Sequence, residues 1–138
     1  MSIAISAQGT IVARQALGAG PFVDVAELRD TTPPPRSRNV IETTSHNEQD
    51  DTAVVGIRRT GELTFTIGWV PSSTTHNPTT GLMKSFIAGD LDVYRITFPD
   101  ASTWMFSGYV TNVGPSAPVD DGLTADISIK PTGAMTIT

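Results

Sequence analysis

The side chains of this 138-residue chain that could do chemistry are scattered, and the nearest approach to a metal site is His46 with Asp50 and Asp51. These three residues lie on one polar, acidic stretch, and His76 is the only other histidine. Zinc sites need three or four ligands that a rigid scaffold holds in place. We therefore expect a solvated loop here and no bound metal.

The other reactive motifs are incomplete as well. Asp120-Asp121-Gly122 lacks the ligand spacing of a calcium loop and favours a turn. No serine stands in a G-x-S-x-G elbow, and Pro21 keeps the glycines at 18 and 20 from leading into a phosphate-binding helix. The chain has no cysteine, which excludes disulfides and thiol catalysis. The residues predict neither an enzyme nor a cofactor.

The charge balance disfavours a nucleic-acid clamp. The formal net charge is −5 at pH 7, and an acidic chain does not grip a phosphate backbone by counterion release.

The basic pair Arg58-Arg59 follows an acidic patch at 48–51. Opposite charges in one chain suit head-to-tail assembly, because each patch meets its complement on the next copy. We expect these arginines to pair with carboxylates of a neighbouring subunit.

Length and hydropathy predict one domain over residues 1–138. No apolar run reaches the roughly 18 residues that a membrane span needs. The start of the chain lacks both the basic residues and the continuous apolar stretch of a signal peptide. We expect no membrane partner.

The dominant hydrophobic period is two, which predicts strands. Segments 62–70 and 123–130 alternate apolar and polar residues, and the polar positions are rich in Thr and Ser. Segments 92–98 and 103–113 flank Pro99-Asp100-Ala101-Ser102, which favours a tight turn and therefore a β-hairpin.

One helix is predicted at about 78–88. Asn77 could cap it, Pro78 would occupy its first position and Gly89 could end it. Its apolar stripe should pack on a sheet. The candidate core residues of helix and strands together are Leu63, Phe65, Ile67, Phe86, Ile96, Trp104, Phe106, Ile127 and Ile129.

The first third of the chain is less regular. Short strands are expected at Ile3-Ala4-Ile5, at 10–14 and at 22–28. The triple proline at 33–35 favours an extended connector. The polar stretch at about 45–53 has no period, and a loop of this length in a compact domain is usually functional.

Six segments spread over most of the chain carry a family resemblance. They are residues 22–30 (FVDVAELRD), 32–38 (TPPPRSR), 41–46 (IETTSH), 61–65 (GELTF), 98–110 (FPDASTWMFSGYV) and 115–125 (PSAPVDDGLTA). Taken in this order, they resemble the major tail tube proteins of long-tailed, siphovirus-type bacteriophages. No single segment is diagnostic, and the ordered set carries the resemblance.

The resemblance implies a mainly β fold, a sandwich or barrel-like core with one flanking helix. It implies a non-enzymatic virion protein of the tail, assembled in the host cytoplasm, whose homo-hexameric rings stack into a tube. A tape-measure protein and a tail terminator are the expected partners. The genome would pass through the lumen during ejection without specific binding, past an acidic, Ser/Thr-rich wall that repels phosphates.

The resemblance also assigns the long loop at about 31–60 to contacts between rings. The candidate contact residues in this chain are Asp50, Asp51, Val54, Val55, Ile57, Arg58 and Arg59. The family commonly has a glycine where this chain has Ala101, which leaves the turn type open. No immunoglobulin-like domain is expected after the tube domain.

Two other interpretations are compatible with the sequence. One is the inner tube protein of a contractile injection or secretion machine, which shares the fold and the ring. The other is a soluble β-sandwich binding module. That module would need a cluster of exposed aromatic side chains, and most aromatic residues here fall on core-facing strand positions.

Overall fold

The computed structural model of the chain describes residues 9–16, 20–47, 49–119 and 122–138. The predicted strand at Ile3-Ala4-Ile5 and the predicted turn at Asp120-Asp121 lie outside these residues. The described elements, in chain order, are β1 (Ile11–Gln15), β2 (Val23–Asp24), β3 (Leu28–Thr32), β4 (Arg36–Glu42), β5 (Ala53–Thr60), β6 (Leu63–Gly68), α1 (Leu82–Ala88), β7 (Asp92–Thr97), β8 (Thr103–Ser116) and β9 (Thr124–Ile137).

Seven of the strands form one sheet in the order β2-β1-β7-β8-β9-β6-β3, and β4 and β5 form a separate two-stranded sheet. Every pairing among these strands is antiparallel. The two segments that alternate apolar and polar residues became β6 and the first half of β9, and the predicted hairpin is the β7–β8 pair. The mainly β class is confirmed.

The long strands β8 and β9 divide the large sheet into two halves. The first half of β8 pairs with β7 at Thr103–Gly108, whereas β6 pairs with the first half of β9 at Thr124–Ile129. Register shifts interrupt the β8–β9 ladder once beside each region, between Met105 and Ser107 and between Val110 and Asn112, and such bulges bend a strand. We call the two parts the β1–β7 half and the β3–β6 half.

One hydrophobic core joins the two halves. Val12, Tyr94 and Ile96 of the β1–β7 half share a cluster with Leu63 and Ile127 of the β3–β6 half. The buried members of the predicted core are Leu63, Phe65, Ile67, Ile96, Phe106, Ile127 and Ile129. Trp104 is half-buried and packs against the same cluster.

The helix is shorter than predicted, and this corrects one core residue. It begins at Leu82 after Gly81 with no side-chain cap, and the Asn77 side chain instead accepts hydrogen bonds from the N–H groups of Thr79 and Thr80 in the preceding turn. Leu82 and Ser85 are its buried residues. Because the helix turns this narrow face inward, Phe86 is 43% exposed and is not a core residue of the single chain.

The end of the helix follows the prediction. Gly89 adopts the left-handed conformation, with φ of 67°, and its N–H donates to the Ser85 carbonyl. Glycine takes this conformation without the clash that a Cβ would introduce.

The first third of the chain differs from the prediction in two places. Segment 22–28 is not one strand, because a turn at Ala26–Glu27 separates β2 from β3 and Glu27 has φ of 58°. The segment predicted as a loop at about 31–60 contains the β4–β5 hairpin, and residues 43–52 connect its two strands. The triple proline connects β3 to β4 outside any helix or strand.

The single helix in the described part of the chain has seven residues and is too short to cross a membrane.

Candidate assembly surfaces

The β4–β5 hairpin stands apart from the large sheet at a narrow neck. β3 and β6 pair up to Thr32↔Thr64, and the chain then continues through the prolines into β4 and returns through β5. At the neck the Gly61 N–H donates to the Pro35 carbonyl at 2.6 Å. A Cβ on Gly61 would lie 2.6 Å from Cγ of the Pro35 ring. Glycine at this position therefore permits the close crossing of the two chain segments.

Aliphatic side chains are exposed on both faces of this hairpin. Val40 pairs with Val55 and Ile41 pairs with Val54, and successive positions of a strand point to opposite faces. These four side chains are all more than half exposed, and Ile57 is 76% exposed. A two-stranded hairpin is marginally stable alone in water, and paired apolar faces of this kind are typical of a segment that another surface covers.

The base of the hairpin is strongly basic. Arg38 lies directly opposite Arg58 in the ladder and Arg59 opposite Ser37, and Arg36, Ser37, Arg38 and Arg58 line one small cavity. Like charges directly opposite each other destabilise a strand pair. Within the described ranges, the ion pairs of the chain are Arg14–Asp92 and Lys84–Asp90, so these arginines have no carboxylate partner there.

The sequence-predicted contact residues all lie on this hairpin or its turn. Val54, Val55, Ile57, Arg58 and Arg59 belong to β5 and are exposed. Asp50 and Asp51 lie in the exposed turn between β4 and β5. The structure therefore gathers them on one projecting arm, with the acidic residues at its tip and the basic residues at its base.

The two outer strands of the β3–β6 half are β3 and the second part of β8. Among the described strands, each of them has one edge without a neighbour. β3 pairs only with β6, and the part of β8 beyond Gly108 pairs with β9 on one side and lacks a neighbour on the other. Unpaired backbone groups on such edges are a template for another strand. The structure thus presents two edges of one four-stranded unit.

The outward face of this same half is polar. In β6, Leu63, Phe65 and Ile67 point into the core while Thr64 and Thr66 point outward. Thr64 pairs with Ser128 and Thr66 with Asp126, and the Thr66 hydroxyl donates to the Asp126 carboxylate at 3.1 Å. Residues that line a shallow cavity on this face include Asp30, Thr32, Thr64, Thr66, Asp126 and Ser128.

A buried ion pair fastens the helix to the β1–β7 half, and sequence reasoning missed it. Arg14 donates through Nε to Asp92 at 2.9 Å, through Nη1 to the Thr80 carbonyl at 2.9 Å and through Nη2 to the Ser85 hydroxyl at 2.6 Å. The Ser85 hydroxyl also donates to Asp92. Burial, and then the negative charge of Asp92, raises the pKa of Tyr94, whose hydroxyl donates to the same carboxylate.

This network is a packing feature and not a catalytic centre. Its charges are paired and its hydrogen-bonding groups are satisfied by one another. The partners lie 78 positions apart in the sequence, so no local spacing signals them. Within the described ranges, no three His, Cys, Asp or Glu residues come together as a metal site, His46 with Asp50 and Asp51 included.

Ala101, in the β7–β8 turn, has a left-handed backbone conformation. Its φ is 71°, the left-handed region that favours glycine. The Ala101 N–H donates to the Phe98 carbonyl, and Asp100 accepts hydrogen bonds from the Ser102 N–H and hydroxyl. These bonds to Ser102 lower the pKa of Asp100.

The free edges of the described strands and the projecting β4–β5 arm define a β-rich subunit with surfaces suited to contact with other chains. The sequence matches the family described as lambda phage tail tube protein over residues 6–138, and the chain belongs to that family. It is a structural component of a phage-type tail and not an enzyme. The resemblance drawn from the sequence is confirmed.

Solved structures with the same fold come from several tail-like particles. A chain from the tail of an empty gene transfer agent particle, refined with C6 symmetry, superposes with a TM-score of 0.80 at 16% identity, over 98% of this chain and 99% of that chain. A chain of an extracellular contractile injection system sheath/tube terminator gives 0.73 at 16% identity, over 99% and 98%. These identities show the fold alone. No curated protein matches the sequence significantly.

Proposed function

We propose that six copies of this chain close into a ring and that the rings stack into the tail tube through which the genome leaves the particle. The observation that carries the proposal is the pair of free edges on the described strands of the β3–β6 half. In this half the strands run alternately up and down, in the order β8, β9, β6 and β3. In a ring, β3 of one copy would therefore meet β8 of the next copy antiparallel.

Closure of the ring removes both free edges. Each four-stranded half contributes one sector of a continuous barrel, and a closed barrel leaves no edge exposed to aggregation. The contact is heterologous, because two different edges meet, and such a contact builds a ring when the rotation closes. The C6 symmetry of the gene transfer agent tail supports six as the number of copies.

The outward polar face of the β3–β6 half would then form the inner wall. Its core-facing side is covered by the rest of the subunit, which leaves Thr64, Thr66, Asp126 and Ser128 on the open side. Carboxylates repel a phosphate backbone, and hydroxyls provide no cationic grip on it. The genome would slide along this wall without specific binding.

The β4–β5 hairpin would connect successive rings. Asp50, Asp51, Val54, Val55, Ile57, Arg58 and Arg59 are the proposed contact residues. Their support is the exposure of the arm, its aliphatic side chains on both faces and the facing arginines at its base. A tape-measure protein inside the tube and a terminator at its end complete the proposed partners.

Negative-stain electron microscopy of the purified chain tests the proposal. We expect rings with six-fold symmetry or tubes. A protein that stays monomeric at high concentration would contradict the proposal.

The inner tube of a contractile machine is the second candidate, since the injection-system chain shares the fold at a TM-score of 0.73. The exposed Phe86 and Ile87 of α1 offer an apolar outer face that a sheath could cover. A sheath that decorates purified tubes would favour this candidate, and bare tubes in mature particles would favour the long-tailed phage.

A further inference from the structure

The β3–β6 half has two ends, and the hairpin projects from one of them. The hairpin leaves the β3–β6 half where β3 ends at Thr32 and β6 begins at Leu63. We call this end the hairpin pole. At the other end, the far pole, β6 ends at Gly68, β8 ends at Ser116 and β9 begins at Thr124.

Three exposed aliphatic residues lie on the chain segments that continue from the strand ends of the far pole. The register places Gly68 opposite Thr124 and Ser116 opposite Thr124, so the chain segments that continue from these strands are neighbours. They carry Val70, Val119 and Leu123, which are 41%, 100% and 38% exposed. The Trp69 N–H donates to the Leu123 carbonyl at 2.9 Å, which ties two of these segments together.

We propose that Val70, Val119 and Leu123 form the docking surface for the β4–β5 hairpin of a second copy of this chain in the next ring. The inference rests on the proposed tube and names the other half of its axial contact. Apolar residues exposed at the two opposite poles of one subunit can cover each other only between different copies. The contact is heterologous and repeats without limit along an axis, which is the condition for a filament.

The reach of the hairpin suits this contact. β5 has eight residues, and at about 3.3 Å per residue it extends on the order of 26 Å from the neck. Its aliphatic pairs Val40–Val55 and Ile41–Val54 lie along the arm beyond the arginines of its base. The arm is therefore long enough to lay these pairs against the end of a neighbouring subunit.

The charges at the hairpin pole favour the same orientation. This pole carries Arg36, Arg38, Arg58 and Arg59, and Lys130 also lies there, since its Nζ donates to the Thr60 carbonyl at 2.7 Å. Glu62 is the opposing charge at this pole, and at the far pole Glu27 lies beside Arg29. Two basic hairpin poles repel each other, so the polarity of stacking is head to tail.

Cysteine cross-linking tests the proposal directly, because the chain has no cysteine of its own. The variant V55C/V119C is assembled into tubes and oxidised mildly. We expect a covalent ladder of dimers, trimers and longer species on a non-reducing gel, which collapses to monomer on reduction. Each single variant should give no ladder, because a head-to-tail contact joins two different positions.

A matched variant moves the second cysteine away from the far pole. Thr136 is exposed and lies on the second half of β9, opposite Met105, so V55C/T136C should give no ladder in the same tubes. A second pair, I57C/L123C, protects the test against a misfolded first variant. If tubes form but neither cysteine pair gives a ladder, the proposed docking surface is wrong, whereas the proposed tube is not contradicted. Failure of the unmodified chain to form tubes would instead overturn the proposed function.

Discussion

Ala101 occupies a backbone conformation that costs it free energy. Its φ of 71° lies in the left-handed region, which disfavours residues with a Cβ by about 1–2 kcal/mol, partly offset by the larger entropy that glycine loses on folding. We expect Ala101→Gly to stabilise the subunit by about 0.5–1 kcal/mol, measured by urea unfolding.

The reciprocal variant is the control. Gly133 has φ of 77°, and a Cβ added to it would meet no other described segment within 4 Å. The substitution Gly133→Ala therefore changes only the free energy of the backbone conformation. It should destabilise the subunit by a similar amount, about 1 kcal/mol. A stabilising Gly133→Ala or a destabilising Ala101→Gly would contradict the assignment of strain to these two positions.

The Arg14–Asp92 pair is a second feature at the scale of single residues. Both side chains are buried, and removal of one partner leaves an uncompensated charge in the core. We expect Asp92→Asn to destabilise the subunit by about 3–5 kcal/mol in urea unfolding. The double variant R14M/D92N should cost less than the sum of the two single variants, because it removes both charges. Additive losses would argue against direct pairing.

At the scale of elements, the neck controls the direction of the hairpin. A Cβ on Gly61 would lie 2.6 Å from Pro35 Cγ, whereas a Cβ on Gly56 would lie 3.4 Å from its nearest neighbour, the Asn39 carbonyl oxygen. We expect Gly61→Ala to displace the arm, to cost about 1–3 kcal/mol and to reduce tube formation in negative stain. Gly56→Ala, on the same hairpin, should assemble much more like the unmodified chain. Equal tube yields from both variants would show that the neck geometry is not required.

The charges of the hairpin make a separate prediction. Asp50 and Asp51 lie at its tip and Arg58 and Arg59 near its base, all exposed. We expect the variant D50N/D51N/R58E/R59E to impair tube assembly and to leave the monomer folded, because exposed charges contribute little to the stability of the chain itself. Electron microscopy measures tube length and circular dichroism the fold. If the variant forms tubes of normal length, these charges do not contribute to the axial contact.

At the scale of the whole molecule, the position of the polar face determines the electrostatic interaction between the inner wall of the tube and the passing DNA. Thr64, Thr66 and Asp126 lie on the outward face of the β3–β6 half, which ring closure would turn towards the lumen. We expect a tube reconstruction to show these side chains on the inner wall and a net negative wall potential. Asp126→Lys should leave ring closure intact and slow genome ejection, since a ring of cations would attract the passing phosphates. A basic inner wall in the unmodified tube would contradict this orientation.

Much of the fold could be predicted because its signals are local. The alternation in 62–70 and 123–130 became β6 and β9, Gly89 ended the helix, and the exposed turn at 99–102 joined β7 to β8. The start of the helix and the exposure of Phe86 were predicted wrongly, because Asn77 and Pro78 are equally suited to the turn that precedes Leu82. The β4–β5 hairpin was predicted as a loop because its residues lack period two, which only a strand with one buried face requires.

The sequence by itself determined the strand content, the acidic charge and the absence of thiol chemistry, and its ordered segments determined the family. The tertiary structure alone decided which strands pair, how Arg14 meets Asp92 across the chain and which edges and poles of the described strands remain free. The physical reason is that hydrophobic period and turn chemistry act over a few residues. Strand neighbours, buried ion pairs and exposed poles are set by contacts between distant segments. In this chain the proposed tube depends on those distant contacts, whereas the strands that build it follow from local sequence.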